Sequence, residues 1–232
     1  FFTFFQLKKI TTVEYNYRKI FNFNKIKNIF NINFNIFIRS ILLTFSFLFF
    51  TYLGNSISED VVAANTILIN LIMLSAFILD AYAFSTEGLV GYSIGSKNKK
   101  LLKEIIKNSF ILSSSTGLII SFGYFLGKNY FIEIMTDLES IKIICLSYSV
   151  WIVIIPFISS FCYQFDGIFV GASKTKELRN AMIISVSIYL LTAFLLVNFF
   201  GNLGLWISLS IFFILRGLTL FLYLGRIYKR FK

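Results

Sequence analysis

The 232-residue chain contains no histidine, one proline and two cysteines, and only 14% of its residues are charged. Without histidine it has no His-based metal site, proton relay or Ser-His-Asp arrangement. Cys145 and Cys162 both fall in apolar segments, where they are expected to be buried small side chains rather than a disulfide or a redox pair. These absences argue against an enzyme, and we expect no cofactor.

Apolar residues, in contrast, are abundant. They make up 57% of the chain, which contains 30 phenylalanines and has a mean hydropathy of +0.78. Apolar stretches of about 20 residues are the signal for membrane-spanning helices, and these stretches do not alternate in polarity as the strands of a membrane barrel would. The stretches are 34–53, 61–94, 105–126, 141–165, 181–200 and 205–224. The sequence therefore predicts an all-α, polytopic membrane protein with six transmembrane helices.

The basic residues predict the orientation of these helices. Nineteen of the 22 lysines and arginines fall on one side, in segment 7–33, in two loops, in the tail 225–232 and at Arg39 just inside the first span. By the positive-inside rule, both termini then face the cytoplasm, as expected for a multi-pass protein of the cell's inner membrane. Basic loops that face anionic lipid account for the net charge of +11, so no nucleic-acid partner is predicted.

The ends of the chain suggest a missing part. The first methionine is Met73, inside an apolar run, so we expect a fragment or processed piece that lacks an N-terminal portion. Residues 1–33 are predicted to be the end of a preceding span followed by a cytoplasmic linker, with a helix lying in the lipid interface as the alternative for the linker.

The second apolar stretch, 61–94, is too long for a simple span. As one helix it would measure roughly 50 Å, whereas the hydrocarbon core of a bilayer is about 30 Å thick. It must therefore tilt, break near Gly88 or Gly91, or project into the cytoplasm.

Four charged residues within the spans are the main site candidates: Asp80, Glu87, Asp166 and Arg216. A charged side chain at the bilayer centre costs at least about 2.5 kcal/mol, so each is a candidate for cation coupling or gating. A buried carboxylate can bind and release a proton as solvent access changes. The alternative is structural: Arg216 neutralises Asp80 or Asp166, while Glu87 and Asp166 reach the cytoplasmic interface.

Uncharged polar residues in the spans are weaker candidates. Asn65, Tyr163 and Gln164 are candidates for lining a cavity, although each could equally bond to a neighbouring helix. Glycine pairs four residues apart, such as Gly167 and Gly171, predict close helix packing. The sequence contains no Gly-rich phosphate loop, so it does not suggest an ATP-driven pump.

Several segments, taken in order, resemble the C-terminal half of MATE (multidrug and toxic compound extrusion) transporters, closest to the DinF-like subgroup. The resemblance rests on the following segments: FIR at 37–39, AANTIL at 63–68, LDAYA at 79–83, EGLVGYSIG at 87–95, DGIFVGASKT at 166–175, GLW at 204–206 and RG at 216–217. Ala81 departs from the subgroup, which often has glycine there.

The resemblance implies a specific architecture and activity. Members of this family have twelve spans in two six-helix lobes, so this chain would be the C-terminal lobe, with segment 7–33 as the cytoplasmic linker. They export organic, often cationic compounds by antiport against H⁺ or Na⁺ as the lobes rock. The implied partners are membrane lipids, a small-molecule substrate and the missing N-terminal lobe, which usually carries a coupling carboxylate in DinF-like members. Two alternatives remain open: a lipid-linked oligosaccharide flippase of the same superfamily, and a truncated half that does not transport.

Overall fold

The computed structural model describes residues 23–229, apart from the side chains of residues 24 and 25. This part of the chain forms eight α-helices and no strands. The helices are α1 (Phe23–Asn55), α2 (Glu59–Gly95), α3 (Lys99–Met135), α4 (Glu139–Tyr148), α5 (Val150–Gly171), α6 (Thr175–Phe200), α7 (Asn202–Tyr223) and α8 (Gly225–Tyr228).

Six of the described helices are long and apolar enough to cross a membrane: α1, α2, α3, α5, α6 and α7. The predicted all-α fold with six transmembrane helices is thereby confirmed. Of the six, α5 is the most buried within the bundle and α1 the least. Other helices therefore cover most of α5, whereas α1 has the smallest buried share of the six.

Contacts divide the chain into two units, residues 1–34 and residues 35–232. The described part of the first unit is the beginning of α1, where Phe30 and Phe34 stack with their ring centroids 6.1 Å apart. The end of a preceding span predicted at residues 1–5, most of the predicted linker and the last three residues of the basic tail lie outside the described residues. Residues 23–33 of that linker are helical and continue into the first span.

Helix α2 is one unbroken helix that contains the whole of the long apolar stretch 61–94. Its start is capped by Ser58, whose side chain accepts a hydrogen bond from the Val61 amide, and Glu59 and Asp60 complement the helix dipole in the first turn. The helix then continues through Gly88 and Gly91, which rules out a break there as the explanation of its length. At 1.5 Å per residue, α2 is about 55 Å long, so tilt or projection beyond the membrane must absorb the excess.

The fourth apolar stretch, 141–165, is two helices rather than one. Helix α4 ends at Tyr148 and the membrane span α5 begins at Val150. Between them, both the amide and the hydroxyl of Ser149 donate to the Leu146 carbonyl, at 3.2 and 2.7 Å. Hydrogen bonds that span three residues rather than four tighten the helix at this point. Hydropathy does not detect this boundary, because the residues on both sides of Ser149 are apolar.

Two tight turns have nearly the same geometry. In the turn between α2 and α3, Lys97 has a φ of 53°, and the Asn98 amide donates to the Ser93 carbonyl at 3.0 Å. In the turn between α5 and α6, Ser173 has a φ of 52°, and the Lys174 amide donates to the Phe169 carbonyl at 2.8 Å. This is the Schellman type of helix ending, here built without glycine at the left-handed position.

Helices α2 and α5 approach each other closely along a line of small residues. A Cβ atom added at Gly167 would collide with the backbone of Ala83, and one added at Gly171 would collide with the backbone of Glu87. The predicted role of this glycine pair in packing thus has a defined partner surface on α2. The same close approach brings the polar residues of α5 next to those of α2.

Candidate functional site

Charged side chains from three helices are joined inside the bundle, and a fourth helix adds a carboxylate nearby. Asp166 of α5 accepts hydrogen bonds through its Oδ2 from Arg39 of α1 and from Arg216 of α7, the latter at 2.7 Å. Asp80 of α2 lies within electrostatic range of Asp166 and of both arginines, without an ion pair or hydrogen bond to any of them. We call these four residues the charge cluster. Its two arginines and two aspartates give it a formal net charge of zero.

Arg216 is the most enclosed member of the charge cluster, with 1% of its surface exposed. Its guanidinium carbon lies 5.4 Å from the ring centroid of Phe212, 5.7 Å from that of Tyr163 and 5.9 Å from that of Phe213. Aromatic faces stabilise a cation more strongly where water is excluded. The rings and the Asp166 carboxylate together compensate for burying this charge in the membrane.

The charge cluster is not saturated with hydrogen bonds. Arg39 Nε, Arg216 Nε and Arg216 Nη1 are buried and have no hydrogen-bond partner within the described residues. Asp80 is half-buried, and its carboxylate makes no hydrogen bond to the described part of the chain. Unused donors and an unused acceptor therefore occupy the same cluster, which leaves room for a second arrangement of its bonds.

Arg216 forms an ion pair with Asp166, which is one of the two structural pairings that the sequence suggested for it. Glu87 lies apart from the charge cluster. It follows Asp80 by seven residues, about 10 Å along the helix, and it forms no ion pair with any described residue. Among the four charged candidates, the structure thus brings together Asp80, Asp166 and Arg216.

The three residues expected to line a cavity are buried in contacts between helices. Asn65 pairs with Asn202 through two amide hydrogen bonds of 2.7 and 3.1 Å. Gln164 donates through Nε2 to Thr86 Oγ1, while its Oε1 has no partner in the described structure. Tyr163 packs its ring beside Arg216. Asn65 and Gln164 therefore form hydrogen bonds between helices, which was the alternative to lining a cavity.

Sequence reasoning did not identify Arg39 as a site residue and counted it with the cytoplasmic basic residues. The structure places it in α1 with 17% of its side chain exposed, paired with Asp166. The available signal was an arginine inside an apolar run, which is costly unless it is paired. The partner could not be deduced because Asp166 lies 127 residues further along the chain.

Within residues 23–229, no group of three or more His, Cys, Asp or Glu side chains is placed to hold a metal ion. The carboxylates of the charge cluster are a pair facing two arginines. The chemistry that this arrangement can perform is the exchange of charge and hydrogen-bond partners.

Comparison with known proteins gives a consistent result. The MatE family model matches residues 36–196. The chain is also similar to DNA damage-inducible protein F of Escherichia coli (strain K12), with 32% identity over 189 residues that cover 82% of this chain and 41% of that protein.

Solved structures have the same fold. The bent form of the Vibrio cholerae MATE transporter VcmN is similar with a TM-score of 0.83 and 17% identity, over 94% of this chain and 50% of that one. A MOP superfamily transporter from Pyrococcus furiosus is similar with a TM-score of 0.78 and 17% identity, over 86% of this chain and 45% of that one. The chain thus spans about half the length of the proteins that it matches.

Proposed function

The chain belongs to the MATE family, and from this premise we propose that it forms the C-terminal six-helix lobe of an efflux transporter. The proposed activity is secondary active export of organic, often cationic compounds by antiport against H⁺ or Na⁺, with rocking of this lobe against an N-terminal lobe. The proposed location is the cell's inner membrane, with both termini in the cytoplasm, because nearly all lysines and arginines fall on one side of the six spans.

The observation that carries this proposal is the charge cluster within a membrane bundle. Ionisable groups inside membrane-spanning helices are expensive and mark ion or proton pathways by default. Because two carboxylates face two arginines, binding of one cation or proton at Asp80 changes the cluster from neutral to singly positive. A transporter needs a site whose occupancy alters the forces between its helices.

In this proposal the two carboxylates have different roles. Asp166 is a positioning residue, since two arginines from two other helices hold it. Asp80 is the ion-binding residue, since no described side chain holds it by a hydrogen bond. When Asp80 is ionised, it repels Asp166 and competes for the unused donors of Arg39 and Arg216. When Asp80 is neutralised, that competition ends and the contact of α1 with α5 tightens.

Arg39 is the arginine that responds to this change. Its helix α1 is the least buried of the six spans, so moving α1 disrupts less packing than moving α7, where Arg216 is enclosed. A ligand can shift an equilibrium only by its differential interaction with the two states. The differential interaction here is the attraction between Asp80 and Arg39, which exists only while Asp80 is ionised.

The flippase alternative requires cationic side chains that are available to a pyrophosphate headgroup. Both arginines of the charge cluster donate to Asp166, and the three nitrogens that they leave unpaired within residues 23–229 are buried. This arrangement favours export of cationic compounds over binding of an anionic headgroup.

The test uses the full-length protein in proteoliposomes, with efflux of a fluorescent organic cation driven by a pH or a Na⁺ gradient. We expect Asp80→Asn to lower gradient-driven efflux at least tenfold, because a neutral amide cannot exchange the coupling ion. The matched control is Glu87→Gln on the same helix, for which we expect efflux within twofold of the wild type. Comparison of the two gradients identifies the coupling ion. Wild-type efflux by a correctly inserted Asp80→Asn protein would reject the role of Asp80.

A further inference from the structure

An apolar groove of about 520 Å³ lies between α3, α5 and α7, on a different face of α5 from Asp166. Its volume is in the range of sites that bind small molecules, about 300–1,000 Å³. Aromatic and aliphatic side chains line it together with one glycine, including Phe110, Phe161, Phe165, Ile214, Gly217 and Phe221. Ile214 and Phe221 are more than a third exposed, so the groove opens on the surface of the bundle.

The groove ends at the basic side of the lobe. Its lining residues include Ile106, near the beginning of α3, and Leu224, directly after α7. On α3, Lys103 lies one turn before Ile106, and Lys107 lies one turn before Phe110, so both lysines share the side of the helix that borders the groove. Both lysine side chains are exposed. Their long apolar stems allow the ammonium groups to reach the headgroup level.

Among the exposed lysines at this end, Lys103 and Lys107 are the two that lie on the groove side of α3. Neither forms an ion pair within the described residues. The neighbouring Glu104 lines a different groove, between α2 and α3. Arg226 is already engaged, 3.6 Å from the Glu177 carboxylate and 4.6 Å from the centroid of the Tyr223 ring. Two lysines without ion-pair partners in the described part of the chain therefore lie on the helix side that borders the apolar groove.

We propose that this groove is a phospholipid site, in which one acyl chain of an anionic lipid lies between α3 and α7 while Lys103 and Lys107 bind its phosphate. The complementarity has two parts: the groove offers hydrocarbon contact to the chain, and the lysines offer charge to the headgroup. The site is independent of the transport proposal, because it uses no member of the charge cluster.

The experiment measures lipid retained by the delipidated full-length protein in detergent, by native mass spectrometry. Phosphatidylglycerol and phosphatidylcholine with identical acyl chains are the probes. We expect phosphatidylglycerol to bind about thirtyfold more tightly, since each of the two lysines near a lipid headgroup contributes about 1 kcal/mol. Lys103→Gln combined with Lys107→Gln should reduce this preference to parity. The matched control, Lys97→Asn combined with Lys176→Gln, removes two exposed lysines from elsewhere at the same end and should retain it.

A second variant tests the groove itself. Ile214→Trp on the rim should fill the groove and abolish retention of both lipids with little change in melting temperature, and Gly217→Leu serves if the first variant does not fold. Equal binding of the two lipids by the wild type would overturn the proposal. An equal loss of the phosphatidylglycerol preference in the two double lysine variants would also overturn it. So would complete displacement of the lipid by inorganic phosphate, or retention of lipid by the Ile214→Trp variant. Absence of bound lipid together with destabilisation by Ile214→Trp would instead indicate that protein covers the groove.

Discussion

Two buried polar groups connect the helices of this lobe, and they differ in how completely their hydrogen bonds are satisfied. Asn65, Asn202 and Trp206 form a neutral group, which we call the amide network. In it Asn65 and Asn202 bond reciprocally, and Trp206 Nε1 donates to Asn65 Oδ1 at 2.9 Å. Every side-chain nitrogen and oxygen of these three residues has a partner. The charge cluster, in contrast, leaves three guanidinium nitrogens without one.

The difference indicates a division of labour between the two groups. A fully satisfied network has one best arrangement and stabilises it, and Trp206 adds a stacked contact with Trp151 at 6.3 Å. A partly satisfied network of charges keeps donors that can form further hydrogen bonds. The amide network should therefore fix the packing of α2 against α7, whereas in the proposed mechanism the charge cluster changes with the occupancy of Asp80.

The largest expected effect comes from breaking the charge cluster at Arg216. Arg216→Ala leaves Asp166 with one partner and opens space among three rings, so we expect a loss of about 3–5 kcal/mol in unfolding free energy. The measurement is chemical denaturation in detergent. Addition of Asp166→Asn should restore part of that loss, because it removes the uncompensated charge. The matched control is Arg226→Ala, which removes a 55% exposed arginine and should change stability by less than about 1 kcal/mol.

An intermediate effect is expected where α2 and α5 touch. Gly167→Ala forces the Cβ into the backbone of Ala83, and overpacking of this kind typically costs about 1–3 kcal/mol. The variant should also lower gradient-driven efflux, because it displaces Asp166 from the charge cluster. Gly88→Ala is the control, since its Cβ meets open space. It should gain up to about 1 kcal/mol from helix propensity. Equal stability of the two variants would mean that the close contact contributes nothing.

The smallest effect is expected in the amide network. Asn65→Leu leaves Asn202 and Trp206 without their partner, yet hydrogen bonds between membrane helices average only about 0.6 kcal/mol each, so we expect a loss of about 1 to 2 kcal/mol. Ion-driven efflux per folded molecule should stay unchanged, which separates this network from the charge cluster. Asn70→Leu, at an exposed position of the same helix, should leave the melting temperature unaltered. A loss of coupling in Asn65→Leu would contradict the division of labour.

Much of the fold followed from composition alone, since apolar stretches of span length become helices in a bilayer. The boundary at Ser149 did not, because it depends on one hydroxyl and one amide sharing a carbonyl inside an apolar stretch. The charged candidates were identified by their cost in the membrane, but their pairing was not. Asp166 could have met any buried cation, and only the packing of α1 against the bundle selects Arg39.

The cavity-lining candidates illustrate a different limit. Asparagine in a membrane helix is equally consistent with a wet surface and with a bond to another helix. The sequence carried both partners of Asn65, but Asn202 lies 137 residues away and begins α7, where it looked like part of a loop. Burial distinguishes the two readings, and burial is a property of the assembled helices.

The unbroken α2 and α3, joined by only the three residues between Gly95 and Lys99, have a practical consequence for imaging. A small membrane lobe offers few features that align particles in electron microscopy. Because helix continues on both sides of this short turn, a soluble helical bundle can be fused there in register with both helices. The fusion would extend two rigid helices rather than a flexible loop, and would serve as an alignment marker for imaging this lobe.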